Sequence, residues 1–215
     1  MTILLLIRHG ENDYMADALA GRLPDVHLNQ NGQQQADLIK EHLLGEGIGS
    51  IFSSPLERAI ETAKPLASAL GLKIQIHPGL NEIDYGELQG RKFTEIRDLP
   101  IWKSMLGGKA NVSFPGGESL ATGWDRIVAA MHEIRESAGR DGIAACFTHG
   151  DVVRMTVMHI LGLPLASLRQ FHVQPASVTA LAWGGQSASL LFMNHIFSEG
   201  FSRSLLDPFV KQKGG

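Results

Sequence analysis

The chain has 215 residues, 44% of them hydrophobic, which is enough to bury a substantial core in one compact unit. Its 19 Lys and Arg against 22 Asp and Glu leave a formal charge of -3, which excludes a global field for holding DNA or RNA; any anion site must be local. Cys146 is the only cysteine, so no intrachain disulfide forms, and the composition fits a reducing cytoplasm.

Residues 2–7 read as a buried parallel strand, a continuous β-favouring run broken at Arg8-His9-Gly10. The run is too short for the apolar core of a signal peptide, and no segment reaches the length of a membrane span. A helix starts at Asn31, with Ala36, Ile39 and Leu43 on one face and Gly45 and Gly47 closing it. Residues 48–52 form a short strand. Ser53-Ser54-Pro55 then opens a helix, with Ser54 as cap and Pro55 at the first helical position. Leu56, Ala59, Ile60, Ala63, Ala67 and Leu70 continue it to Gly71, and Pro65 is expected to bend it.

A strand at 73–77 leads into a polar loop at 78–90 that carries Asn81-Glu82. Residues 91–113 have weak patterning and read as an insertion of one or two short helices covering the site. Leu120, Trp124, Ile127, Val128, Met131 and Ile134 trace the stripe of a long amphipathic helix stopped by Gly139. Residues 143–148 form the next buried strand, broken at His149-Gly150-Asp151, and a helix over 152–161 is closed by Gly162 and Pro164. Two strands, at 177–183 and 187–193, and a frayed tail after 207 complete the chain. Strands alternating with helices predict an α/β fold, a three-layer α/β/α sandwich with a mostly parallel central sheet, as a single domain over 1–215.

Ligands bind beyond the carboxyl ends of strands in such sheets, and Arg8-His9 and His149 both stand there. Arg8 and Arg58 are expected to fork onto phosphate oxygens, helix N-termini to add backbone donors, and a neutral imidazole among them is a nucleophile. Each residue alone reads more simply as a turn histidine or a surface arginine. Their joint placement at strand ends and helix starts favours a site.

The same residues carry a resemblance. Ile7-Arg8-His9-Gly10-Glu11 resembles the signature of the histidine phosphatase superfamily, which includes the cofactor-dependent phosphoglycerate mutases. Leu28 with Gly32, Gln35 and Ala36, then Ser53-Ser54-Pro55-Leu56 with Arg58-Ala59 and Thr62-Ala63, follow in the family order. So do Leu80-Asn81-Glu82 with Gly86 and Gly90, Pro115-Gly116-Gly117-Glu118-Ser119, and Thr148-His149-Gly150. The resemblance implies that His9 is the nucleophile, that Arg8, Arg58, His149 and Gly150 bind the transferring phosphoryl group, and that Glu82 donates a proton and later acts as base. Glu82 needs a raised pKa for that role, which burial under residues 91–113 would supply.

The chain departs from the family pattern where a Trp-Asn pair is expected and Tyr14-Met15 stands. Asn12 or Arg22 is the candidate to supply the phosphate contact that this Asn makes in the family. The insertion is shorter than the one mutases use to enclose a bisphosphate, which favours a phosphatase acting on a small phosphorylated metabolite. The alternatives are mutase-type transfer and a non-catalytic module that binds a phosphorylated ligand. No cofactor, metal, nucleic acid or membrane is expected. A homodimer and a monomer are both open. Cys146 and Arg154 are too widely spaced for a cysteine phosphatase. His172 and His195 read as structural histidines, and Glu118 equally as a helix-start carboxylate.

Overall fold

Alternate residues of β1 (Thr2–Arg8) face two different cores, as an apolar run without a polar face demands. Leu4 and Leu6 join one buried cluster; Ile3, Leu5 and Ile7 join the other. The computed structural model describes residues 1–185, 187–198 and 205–206, so the tail expected after 207 lies outside the described residues. The chain continues through α1 (Tyr14–Asp17), α2 (Gln30–Leu43), β2 (Ser50–Ser53), α3 (Glu57–Leu70) and β3 (Ile74–Ile76). Then come α4 (Phe93–Ile96), α5 (Pro100–Leu106), α6 (Leu120–Ala138), β4 (Ile143–Thr148), α7 (Gly150–Ile160), β5 (Val178–Gly184) and β6 (Ser187–His195).

The sheet has the order β3-β2-β4-β1-β5-β6. The first four strands are mutually parallel, β5 runs antiparallel to β1, and β6 reverses again. On one face Ile39 and Leu43 of α2 pack with Ala63 and Leu66 of α3. The other face is covered by Ile127 and Met131 of α6 with Val152 and Met155 of α7. This is the three-layer arrangement expected from the alternation of elements. Residues 91–113 form the two short helices α4 and α5, and Ile96, Trp102 and Met105 root them in the α6–α7 core. No helix among the described residues is long and apolar enough to cross a membrane.

Two helix starts differ by two residues from expectation, and one of them is α7, which begins at Gly150 rather than at 152. Helix α3 begins at Glu57 rather than Pro55, with Leu56 still extended and no side-chain cap on its first turn. Ser54 Oγ instead accepts from Leu56 N at 3.3 Å, closing a tight turn that delays the helix and turns Arg58 inward.

The loop after β1 is fixed from several sides. Gly10 N donates to Thr62 Oγ1 at 3.0 Å, Glu11 N to Gln35 Oε1 at 2.9 Å, and Glu11 O accepts from Asn29 N at 3.0 Å. Asn29 caps α2 by accepting from Gly32 N at 2.9 Å. A Cβ on Gly32 would lie 2.1 Å from Glu11 O, so only glycine lets the helix start approach this backbone. Gly32→Ala is therefore expected to lower the unfolding free energy by about 1–3 kcal/mol. Urea denaturation reads it, and an unchanged midpoint would show that the approach can relax.

Candidate active site

β1 and β4 end side by side, with Arg8 in register with Thr148 and His9 N bonded to Thr148 O at 2.9 Å. Their neighbour β2 ends at Ser53, where Ser54 N reaches Phe147 O at 2.9 Å. Three strand ends thus bring Arg8, His9, Ser54 and His149 to one rim, and the first turn of α3 adds Arg58. A cavity of about 220 Å³ opens there, lined among others by Arg8, His9, Asn12, Arg58, Glu82 and Gly150.

The His9 ring is fixed in one orientation. Its Nδ1 lies 2.7 Å from the carbonyl oxygen of Gly10, which can only accept, so Nδ1 carries the proton and Nε2 keeps its lone pair. Burial, then the charges of Arg58 and Arg8, hold its pKa well below the ordinary value of 6.5. The imidazole is neutral at physiological pH.

Both arginines keep donors in reserve. Arg8 gives Nη1 to Val173 O at 2.6 Å, and Arg58 gives Nη2 to Gly21 O at 2.6 Å. Arg8 Nε, and Arg58 Nε and Nη1, are buried without a hydrogen-bond partner among the described residues. Burial lowers the pKa of Arg58 to about 10 and that of Arg8 from its usual value, the latter helped by Arg154, yet both stay cationic. The two amide atoms of Asn12 are likewise buried without a partner among the described residues, on the cavity wall. Buried donors left over at one cavity are what an oxyanion would satisfy.

His149 contributes differently from the expectation of a direct phosphoryl contact. Its ring is wholly buried: Arg58 Nη2 stands 3.4 Å from Nδ1, and Nε2 stands 2.7 Å from Ser54 Oγ. A guanidinium only donates, so Nδ1 accepts and Nε2–H donates to Ser54. His149 meets the site through Arg58 and through its edge contact with the His9 ring, 5.3 Å between centroids. Its pKa too is driven well below 6.5, by burial and then Arg58.

Arg22, a candidate from the sequence for the phosphate contact, is spent elsewhere. Its guanidinium donates to Glu82 O at 2.7 Å and Glu118 Oε1 at 2.8 Å, bracing the loop that carries Glu82 instead of reaching the cavity. Glu118 also accepts from Arg126 Nη2 at 2.8 Å and Asp84 N at 3.0 Å, so it is a junction for that loop. Met15 stays on the cavity wall, its sulfur 4.0 Å from Arg8 Nη2. Glu82 itself accepts from Ile83 N at 2.9 Å, and burial, then the negative charge of Asp151, raise its pKa.

A cluster that motif reading overlooked forms the far wall. Asp151, in the first turn of α7, accepts from Arg154 Nη1 at 2.6 Å, from Arg169 Nη1 and Nη2 at 3.0 Å each, and from the Tyr85 hydroxyl. Burial alone would raise the Asp151 carboxyl, but Arg169 and Arg154 outweigh it and bring it down to about 2. The available signal was the i, i+3 spacing of Asp151 and Arg154, which alone reads as an ordinary helix-surface pair.

A family model described as the histidine phosphatase superfamily (branch 1) matches residues 4–196. The chain belongs to this superfamily. Phosphoserine phosphatase 1 of Hydrogenobacter thermophilus is 28% identical over 84% of this chain and 86% of its own length. Phosphoglycerate mutase-like protein 4 of Arabidopsis thaliana is 34% identical over 70% and 67%, respectively. Among solved structures, a mutant phosphoserine phosphatase from Entamoeba histolytica in complex with phosphoserine aligns with a TM-score of 0.82 at 25% identity, covering 90% of this chain and 97% of the other. The α/β architecture of this superfamily member therefore matches that of a relative solved with a phosphate ester bound.

Within this histidine phosphatase, Asp151→Asn would leave two guanidinium groups facing each other without their shared counter-charge. We expect a loss of about 3–5 kcal/mol of stability at neutral pH, read by thermal or urea unfolding. Because the folded pKa of Asp151 lies below its unfolded value of about 3.9, its contribution is full above that value. The gap between wild type and variant should therefore close as pH falls toward 2. A gap that persists unchanged to that pH would mean that the carboxylate charge is not what holds the cluster.

Proposed function

We propose that the protein hydrolyses a small phosphomonoester in two steps through a phosphohistidine on His9, in a reducing cytoplasm, as a single domain covered by residues 91–113. Membership of the superfamily, with relatives named as phosphatases, makes the chain a phosphoric monoester hydrolase. The observation that carries the mechanism is the His9 ring, locked through Nδ1 to Gly10 O and neutral, in the same cavity as the unspent donors of Arg8 and Arg58.

In the first step Nε2 of His9 attacks phosphorus and the ester oxygen leaves. Arg8, Arg58, the Asn12 amide and the N-terminal backbone of α7 at Gly150 hold the equatorial oxygens, whose charge is the main thing a protein stabilises in phosphoryl transfer. His149 keeps the Arg58 guanidinium and the His9 ring in register. An alkoxide is a poor leaving group, so Glu82, held protonated by burial beside Asp151, delivers its proton to that oxygen. In the second step the Glu82 carboxylate takes a proton from water, which attacks the phosphohistidine and releases inorganic phosphate. Asn12 takes the role of the family asparagine, whose position Met15 occupies, because the Asn12 amide is buried, unengaged and on the same wall.

His9→Ala is expected to abolish phosphate release while the protein remains folded. The wild-type phosphoenzyme should survive an alkaline quench and be lost in acid, since a phosphoramidate is acid-labile; an acid-stable phosphoenzyme would identify another nucleophile. The pH dependence follows from the directions of the two pKa shifts. His9 is neutral far down the acid side, whereas Glu82 must be protonated, so kcat/KM for an alkyl phosphate should hold at acid pH and fall as pH rises through the raised Glu82 pKa. Glu82→Gln should cost about 10²–10⁴ in kcat/KM on alkyl phosphates and far less on p-nitrophenyl phosphate, whose leaving group needs no proton. Equal losses on both would remove Glu82 as the acid.

A further inference from the structure

We propose that Arg154, held by Asp151, forms a second anion subsite that reads one negative charge on the leaving alcohol, so that the enzyme prefers phosphomonoesters of anionic alcohols lacking a cationic group. The inference rests on the phosphatase reading of the same cavity and specifies which ester fits it.

Side chains on a helix lean toward its N-terminus, so Arg154, four residues after Gly150, lies back over the first turn of α7. It reaches the cavity because position 150 has no side chain: a Cβ there would lie 3.0 Å from Arg154 Nη1 and 3.5 Å from Arg8 Nε. The two guanidiniums thus converge on one spot beside the phosphoryl site. Like charges so close need a reason, and only part of it is internal. Asp151 offsets one unit of charge, yet it is shared between Arg154 and Arg169 and also takes the Tyr85 hydroxyl.

Charge balance then constrains the ligand. Four guanidiniums, those of Arg8, Arg58, Arg154 and Arg169, line the cavity, and Glu82 and Asp151 are the carboxylates among its described lining residues. When Glu82 holds the proton that the first step needs, Asp151 is the one remaining negative charge. A phosphate dianion offsets two of the three positive charges left, and a single carboxylate on the alcohol would offset the last. While Glu82 holds that proton, an ammonium on the same alcohol would find no carboxylate to receive it, because Asp151 is saturated by its donors. Met15, Ala18, Leu19, Phe93 and Trp102 add an apolar stretch of wall, which suits a short carbon skeleton between the two anionic ends.

The test compares kcat/KM of purified wild-type enzyme for 3-phosphoglycerate, its methyl ester and O-phosphoserine. The acid should exceed both by at least about tenfold, the scale of one charge-assisted contact. Arg154→Gln should collapse the acid-to-ester ratio toward one, mainly through KM, and Arg154→Lys should keep part of it. Equal use of acid and ester by the wild type, faster turnover of phosphoserine, or a ratio unchanged in Arg154→Gln would each overturn the subsite. The wild-type ratios decide the matter even if the variant fails to fold. Phosphate release from p-nitrophenyl phosphate without any acid preference removes the subsite alone; no release from any ester removes the phosphatase reading as well.

Discussion

Positive charge buried with donors to spare, at the point where the two central strands end, is the constraint from which the rest of the structure follows. Taking a guanidinium out of water costs several kcal/mol, and each N–H left unpaired adds about 1–3 kcal/mol. Arg58 is 1% exposed and still has Nε and Nη1 without a partner among the described residues. The fold offsets this with two apolar cores, one on each face of the sheet, and with backbone carbonyls at Gly21 and Val173 that orient the forks. Burial, and then these same charges, suppress protonation of His9, so the feature that weakens the fold also keeps that imidazole neutral. On the proposed reading a bound dianion would relieve that cost.

Much of this was legible in the sequence because it lay at element boundaries. Apolar runs ending abruptly in Arg8-His9 and in His149 marked the strand ends, and a buried strand leaves little choice about which side of the sheet its last residue faces. Asn12, one of two candidates named for the contact that the family asparagine makes, lies buried on the cavity wall. What stayed hidden depended on tertiary partners. Ser54 read as a helix cap, but His149 and Leu56 N claim its hydroxyl, and the helix starts later. Arg22 read as a phosphate contact, but Glu118 and the Glu82 carbonyl lie nearer its guanidinium, and no local pattern places residues 82 and 118 beside residue 22. Arg169 sits outside any regular element, so periodicity had nothing to say about it; its place follows from tertiary partners, Asp151 and the Met105 sulfur.

The cover over the site is better understood as part of the core than as a flap. Trp102 and Met105 of α5 are buried in the same cluster as Leu120 and Met131 of α6, and Tyr85, on the loop beneath, packs edge-on against Phe114 at 4.9 Å. That packing dries the environment of Glu82, and dryness is what raises its pKa. The raised pKa of Glu82 is therefore a by-product of hydrophobic packing some residues away, with Asp151 adding to it through charge. The loop that presents Glu82 is fixed independently, by Arg22 and Arg126 gripping its carbonyls and Glu118.

The strand order has a consequence for how the molecule comes into being. β4 lies between β1 and β2, so the two strands made first are not neighbours until a segment from much later in the chain slides in between them. Without β4, β1 and β2 have no strand between them, and nothing brings His9 and Arg58 of α3 to one rim. Folding must wait for most of the polypeptide, and non-local pairing of this kind is slow. The corollary is that the rim carrying His9, Arg58 and His149 is assembled only by the second half of the chain, because β4 and β5, the two strands that flank β1, both come from there.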